Sequence, residues 1–147
     1  MRFACDVMLG KLAKYLRILG FDAAYAPNQA ALDRLRAEDP GRTLLTRRRR
    51  PSGFRMTVHI ESEIAREQLH EIKGLIKPQL SSDTVFTRCI ECNAELIDVE
   101  RTEVEPRVPE FVYHNYRRFK TCPSCGKIYW QGSHTMGMEA LVKEMLA

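Results

Sequence analysis

The chain has 147 residues, 44% of them apolar and 29% charged, with a formal net charge of +4. These are the proportions of a soluble globular protein of one or two small domains, and they exclude a disordered chain. No stretch approaches the roughly eighteen uninterrupted apolar residues that a bilayer span needs, so no membrane role is expected.

The opening MRFACDVMLGKLAKYLRILG is interrupted by Asp6, Lys11, Lys14 and Arg17. It therefore reads as part of the fold rather than as an export signal, and a cytoplasmic location is expected. Charge is unevenly placed. Residues 1–50 carry 11 lysines and arginines against 5 acids, whereas residues 89–147 carry 7 against 9. A basic first third points to a polyanionic partner.

RFACDV (2–7) has the composition of a first strand. VMLGKLAKYLRILG then runs at helical period: Leu9, Leu12, Leu16 and Leu19 share one face, Lys11, Lys14 and Arg17 another, and Gly20 suits the helix end. FDAAYA (21–26) is a second strand, and Asn28 caps a helix through QAALDRLRAED that Pro40-Gly41 ends. TLLT (43–46) is a third strand and runs straight into Arg47, Arg48, Arg49 and Arg50. MTVHI (56–60) is a fourth, followed by a helix over 62–76 with Ile64, Leu69, Ile72 and Ile76 on its buried side. The β-α-β-α-β order with short links predicts a parallel sheet flanked by helices. KPQLSSD (77–83) reads as a linker, which divides the chain into 1–80 and 81–147.

Beyond that linker stand two Cys-x-x-Cys pairs, Cys89 with Cys92 and Cys122 with Cys125. Four thiolates complete the tetrahedral shell of a structural zinc ion. Each knuckle needs a residue that tolerates φ > 0 after its second cysteine, and Asn93 and Gly126 are suited to that position. An iron–sulfur cluster also takes four cysteines, but the twin knuckles favour zinc. Disulfides fit poorly with a chain that is not expected to be exported. The 29 residues between the pairs exceed ordinary ribbon spacing, so the arms carry extra structure: AELIDVE and KIYWQ as strands, and PEFVYHNYRRF as a helix opened by Pro109. With the zinc shell full, His134 reads as a structural histidine and Cys5 as a buried strand thiol.

The stretches CDVMLGKLAKYLRILGFD, RTLLTR, EQLHEI, FTRCIECNAEL, RVPEFV and CPSCGKIYWQGSH resemble the Mut7-C ribonuclease domain family. The resemblance implies an α/β fold with a PIN-like parallel sheet flanked by helices, followed by a small four-cysteine zinc ribbon and a C-terminal helix. It also implies RNA as substrate and a divalent-metal-dependent ribonuclease activity. Carried over by position, Asp6 and Asp22 are the candidate catalytic acids for Mg2+ or Mn2+. The chain departs from the pattern at two places. YAPNQAAL has no carboxylate where the family carries one, and Thr46-Arg47 is followed by Arg48 where the family carries Asp. A guanidinium cannot ligate a cation.

Two readings follow. One is a ribonuclease with a depleted acidic site, in which Asp33 is the best-placed substitute carboxylate. The other is an RNA-binding module without cleavage, in which Lys11, Lys14, Arg17, Arg47, Arg48, Arg49 and Arg50 meet phosphates. Arg117, Arg118 and Lys120 of the ribbon add to that surface, interleaved with Tyr113, Tyr116 and Phe119.

Overall fold

The computed structural model describes residues 1–49, 53–130 and 138–147. Four short strands, β1 (Arg2–Cys5), β2 (Asp22–Tyr25), β3 (Thr43–Thr46) and β4 (Met56–His59), form one parallel sheet in the order β2-β1-β3-β4. Parallel strands are buried on both faces, and the sequence provides for this: all four residues of β3 are buried.

One face carries α1 (Gly10–Ile18), α3 (Ala65–Glu71) and α4 (Lys73–Ile76), and the other carries α2 (Gln29–Glu38). The helical period read from the sequence is the one that is buried. Leu9, Leu12, Leu16 and Leu19 are almost fully excluded from solvent beside Phe3, Cys5 and Leu45. Asn28 accepts the Ala31 N–H at 2.9 Å and so caps α2. Gly20 has φ +94°, and a side chain there would collide with the Thr84 carbonyl, so only glycine fits.

Three expectations are corrected. The helix expected over 62–76 is split at Ile72 into α3 and α4, and Ile64 lies exposed before α3 instead of buried on it. The stretch read as a linker winds into a 3-10 turn, Lys77–Gln79, and then packs against the first lobe. Leu80, Val85 and Phe86 lie on its core, and the Phe86 N–H donates to the Ile18 carbonyl at 2.7 Å.

The last helix, α7 (Glu139–Leu146), belongs to that same core, because Leu141, Val142 and Met145 pack among the α1 and α3 side chains. Glu144 pairs with Arg66 and His70. Residues 80–86 and α7 thus share one apolar cluster with the first lobe. No helix among the described residues is long and apolar enough to cross a membrane.

The ribbon is a three-stranded antiparallel sheet, β5 (Ile97–Val99), β6 (Phe119–Thr121) and β7 (Ile128–Trp130), in that order. Between β5 and β6 run α5 (Arg101–Val104), a 3-10 turn (Glu105–Arg107) and α6 (Glu110–Asn115), with Pro109 at the N-cap of α6. Tyr113, Tyr116 and Trp130 pack half-buried around Val104, Val112, Phe119 and Ile128. These aromatics are core first, as small modules require.

Candidate nucleic-acid interface and metal centre

In an open parallel sheet the strand order reverses at one place, and the crevice outside the carboxyl ends there is where ligands bind. Here the reversal falls between β1 and β3. Their carboxyl ends deliver Asp6 from one strand and Thr46, Arg47 and Arg48 from the other.

Asp6 is 3% exposed and every lone-pair direction has a claimant. Arg48 donates Nε to Oδ2 at 2.7 Å and Nη2 to Oδ1 at 2.5 Å. The Thr46 hydroxyl donates to Oδ2 at 2.8 Å, and the Val7 N–H donates to Oδ1 at 2.8 Å, capping the 3-10 turn Val7–Leu9. Burial pushes the Asp6 carboxyl upward, but the hydrogen bonds from Arg48, Thr46 and Val7 outweigh it and hold it below its ordinary value. The Asp6 bond in turn raises Arg48, whose Nη1 also donates to Gln29 Oε1 at 2.9 Å.

The structure does not bring Asp6 and Asp22 together. Asp22 pairs in register with Arg2 at the amino end of the sheet, whereas Asp6 follows Cys5 at the carboxyl end. Four residues of strand separate them, on the order of 13 Å. At its own end Asp22 accepts from Arg42 Nη1 at 2.7 Å and from Asn93 Nδ2 at 2.6 Å. Burial pushes its carboxyl up, and these partners hold it low.

Asp33 does turn toward the Asp6 edge, but Gln29 and Arg36 already occupy its Oδ1. The residues present do not fit Mg2+ or Mn2+. A hard divalent ion needs carboxylates with free oxygens, and the one buried acid at the switch point is chelated by a guanidinium.

The basic residues sort into held and free. Arg17 is 8% exposed and donates to the carbonyls of Ala23 at 2.9 Å and Ile90 at 2.6 Å, so it ties α1 and β2 to the ribbon. Lys14 lies 3.6 Å from Glu91. Arg47 donates to the Glu61 carbonyl at 3.1 Å. Lys11 touches the Tyr15 ring, while Arg49, Arg117 and Arg118 are exposed and have no ion pair among the described residues. Lys120 is half-buried on β6 opposite Asp98. Arg50 and His134 lie outside the described residues.

The second centre is in the ribbon. The thiols of Cys89, Cys92, Cys122 and Cys125 all lie within 4.8 Å of one another. Cys89 and Cys125 Sγ are 3.8 Å apart, which matches the edge of a sulfur tetrahedron around zinc, about 3.8 Å for bonds of ~2.3 Å. The knuckle turns are the ones expected, with Asn93 at φ +67° and Gly126 at φ +76°.

Backbone N–H groups point at sulfur, from Cys92 to Cys89 and from Ser124 and Cys125 to Cys122, each at 3.4 Å. Burial raises the Cys122 thiol, but the Cys125 and Ser124 N–H groups, with the Cys125 and Cys89 thiols, bring it down to about 7. The donor set fits zinc and leaves no position open for a substrate.

Gln29 and the docking roles of Arg17, Arg42 and Asn93 were not legible as site features in the sequence. The one signal for Gln29 is its place directly after the Asn28 cap, at the end of α2 that faces the strand carboxyl ends.

No curated protein and no solved structure matches the chain. A family model described as the Mut7-C RNAse domain matches residues 1–142. That span takes in the parallel sheet, the switch-point edge, the four cysteines and the first residues of α7, so the chain belongs to the Mut7-C RNAse domain family.

Proposed function

We propose that this chain acts on RNA by holding the phosphate backbone at the carboxyl edge of its parallel sheet, and that its ribbon carries a structural zinc ion. The observation that carries the reading is Arg48 seated on Asp6 at the switch point. A guanidinium occupies the place in which a family nuclease would need open carboxylates. Around it Arg49 and Lys11 are exposed and neither has an ion pair among the described residues, so positive charge faces solvent on this edge. Such contacts are salt-sensitive and indifferent to base sequence. Arg117 and Arg118 give the ribbon exposed cations of its own. Zinc supplies folding free energy to a module with a small apolar core. None of the five cysteines is paired in a disulfide, which suits a reducing compartment such as the cytoplasm.

Family membership favours a second reading, cleavage assisted by a divalent ion at Asp6. Fluorescence anisotropy with a short single-stranded RNA over a salt series, run beside a gel assay for cleavage in Mn2+, separates the two. The binding reading expects affinity to fall steeply with salt, to drop further in an Arg48→Ala, Arg49→Ala double variant, and no cleavage. Affinity that ignores salt defeats it. Cleavage in Mn2+ that Asp6→Asn abolishes establishes the second reading instead.

A further inference from the structure

The Asp6–Arg48 pair has a layered geometry that a mere surface ion pair lacks. The Asp6 side chain is 4% exposed, while that of Arg48, bound directly upon it, is 48% exposed. The carboxylate forms a floor and the guanidinium a lid facing solvent. A guanidinium carries five N–H groups in a rigid plane. Asp6 takes one from Nε and one from Nη2, and Gln29 takes one from Nη1. Two remain, one on each terminal nitrogen. A fork of two parallel donors matches two oxygens of one phosphate, a geometry that a lysine ammonium cannot offer.

We infer that Asp6 is a positioning residue for Arg48, and that the oriented guanidinium grips a phosphodiester of RNA directly, with no divalent cation between protein and backbone. The inference rests on the RNA reading above and gives it a mechanism. Asp6 fixes the plane of the guanidinium from below through two bonds, and Thr46 fixes Asp6 through its hydroxyl. Thr46 Oγ1 also accepts the Arg48 backbone N–H at 3.0 Å, so one threonine aligns both members of the pair. Gln29 braces the third side and is itself held by donating to Asp33 at 2.9 Å. An arginine held at three of its donors loses little side-chain freedom on meeting a phosphate, so more of the contact appears as affinity. Because Asp6 cancels most of the charge on Arg48, long-range attraction comes from Arg49 and Lys11, and Arg48 contributes directional bonds.

This division of labour sets the test, because simple electrostatics predicts the opposite sign. Removing the Asp6 charge places one negative group fewer beside the RNA, so charge alone expects Asp6→Asn to bind more tightly. Loss of orientation expects it to bind about tenfold more weakly. Anisotropy with single-stranded RNA at fixed ionic strength, in EDTA and in millimolar Mg2+, is expected to give wild-type affinities equal within about twofold. Arg48→Lys, which keeps the charge and loses the fork, is expected to weaken binding by a similar factor of about ten with an unchanged salt slope. Binding lost in EDTA, or Asp6→Asn binding as tightly as wild type or more so, overturns the inference. A second readout does not depend on RNA. Dimethyl phosphate titrated in EDTA is expected to move the Arg48 Nε–H resonance of the wild-type chain and not that of Asp6→Asn. If the wild type binds no RNA at any salt, the reading above falls, and the dimethyl phosphate shift alone decides whether Asp6 orients Arg48 toward phosphate.

Discussion

Asn93 Nδ2 donates to Asp22 Oδ1 at 2.6 Å, joining the first zinc knuckle to the amino end of the edge strand β2. The same carboxamide accepts the Ala23 N–H at 2.9 Å, and Arg17 covers the Ala23 carbonyl. A β2 edge otherwise open to strand pairing is thereby capped on both polar groups of one residue. Asp22 thus ties the ribbon to the amino end of the sheet.

Asn93 also stands at positive φ, so two of its contributions can be separated by substitution. Asn93→Gly keeps the backbone and removes the docking bonds, and is expected to cost about 1–3 kcal/mol in urea denaturation. Asn93→Ala adds the strain of a left-handed alanine, about 1 kcal/mol more. A glycine variant as stable as wild type would show that the docking bonds contribute nothing.

Metal release should report on the same joint. The chain is expected to hold one zinc per molecule by metal analysis. Stripping it with a strong chelator should melt the ribbon, as closed four-cysteine sites contribute folding free energy. Amide exchange at Ala23 should then accelerate, because its acceptor sits on the knuckle, while Asp6, whose N–H donates to Leu45 within the sheet, stays protected. Equal acceleration at both positions would mean that the lobe does not survive on its own.

Acid should weaken the fold through two carboxylates. Asp6 and Asp22 both titrate below the ordinary 3.8 because arginine bonds outweigh the upward push of burial. A folded value below the unfolded one gives stability that is complete above about pH 4 and is lost as pH falls through the folded values. Thermal midpoints are expected to be flat from neutral pH to about pH 5 and to drop below about pH 4. The drop should be shallower in Asp22→Asn, and an unchanged slope would discount the Arg42–Asp22 pair.

Met145 is fully buried between α7 and the first lobe. Met145→Ala is expected to cost about 2–4 kcal/mol and to lower one cooperative transition of the whole lobe. If α7 belonged to the ribbon alone, the sheet's melting would be insensitive to it.

Much of this was legible locally. The leucines of α1, the Asn28 cap, the TLLT strand and the two Cys-x-x-Cys pairs with Asn93 and Gly126 are settled within a few residues of chain, and each is found in the structure as expected. Arg17 shows where that reach ends. Helical spacing places it with Lys11 and Lys14 on one polar face, but the ribbon comes to rest on that face and buries it. The break at Ile72 and the packing of residues 80–86 were equally out of reach, since both answer to neighbours distant in sequence.

The sequence by itself determined the periodicities, the caps and the metal-binding cysteines, because backbone geometry and thiolate chemistry act over short spans. Only the tertiary structure decided which charges meet: Arg48 with Asp6, forty-two residues away, and Asp22 with Asn93, seventy-one away. The reason is that a parallel sheet sends successive strands in one direction. Residues that follow two strands become neighbours at its carboxyl edge, and a residue that begins a strand is carried to the other end, however alike the two acids look along the chain.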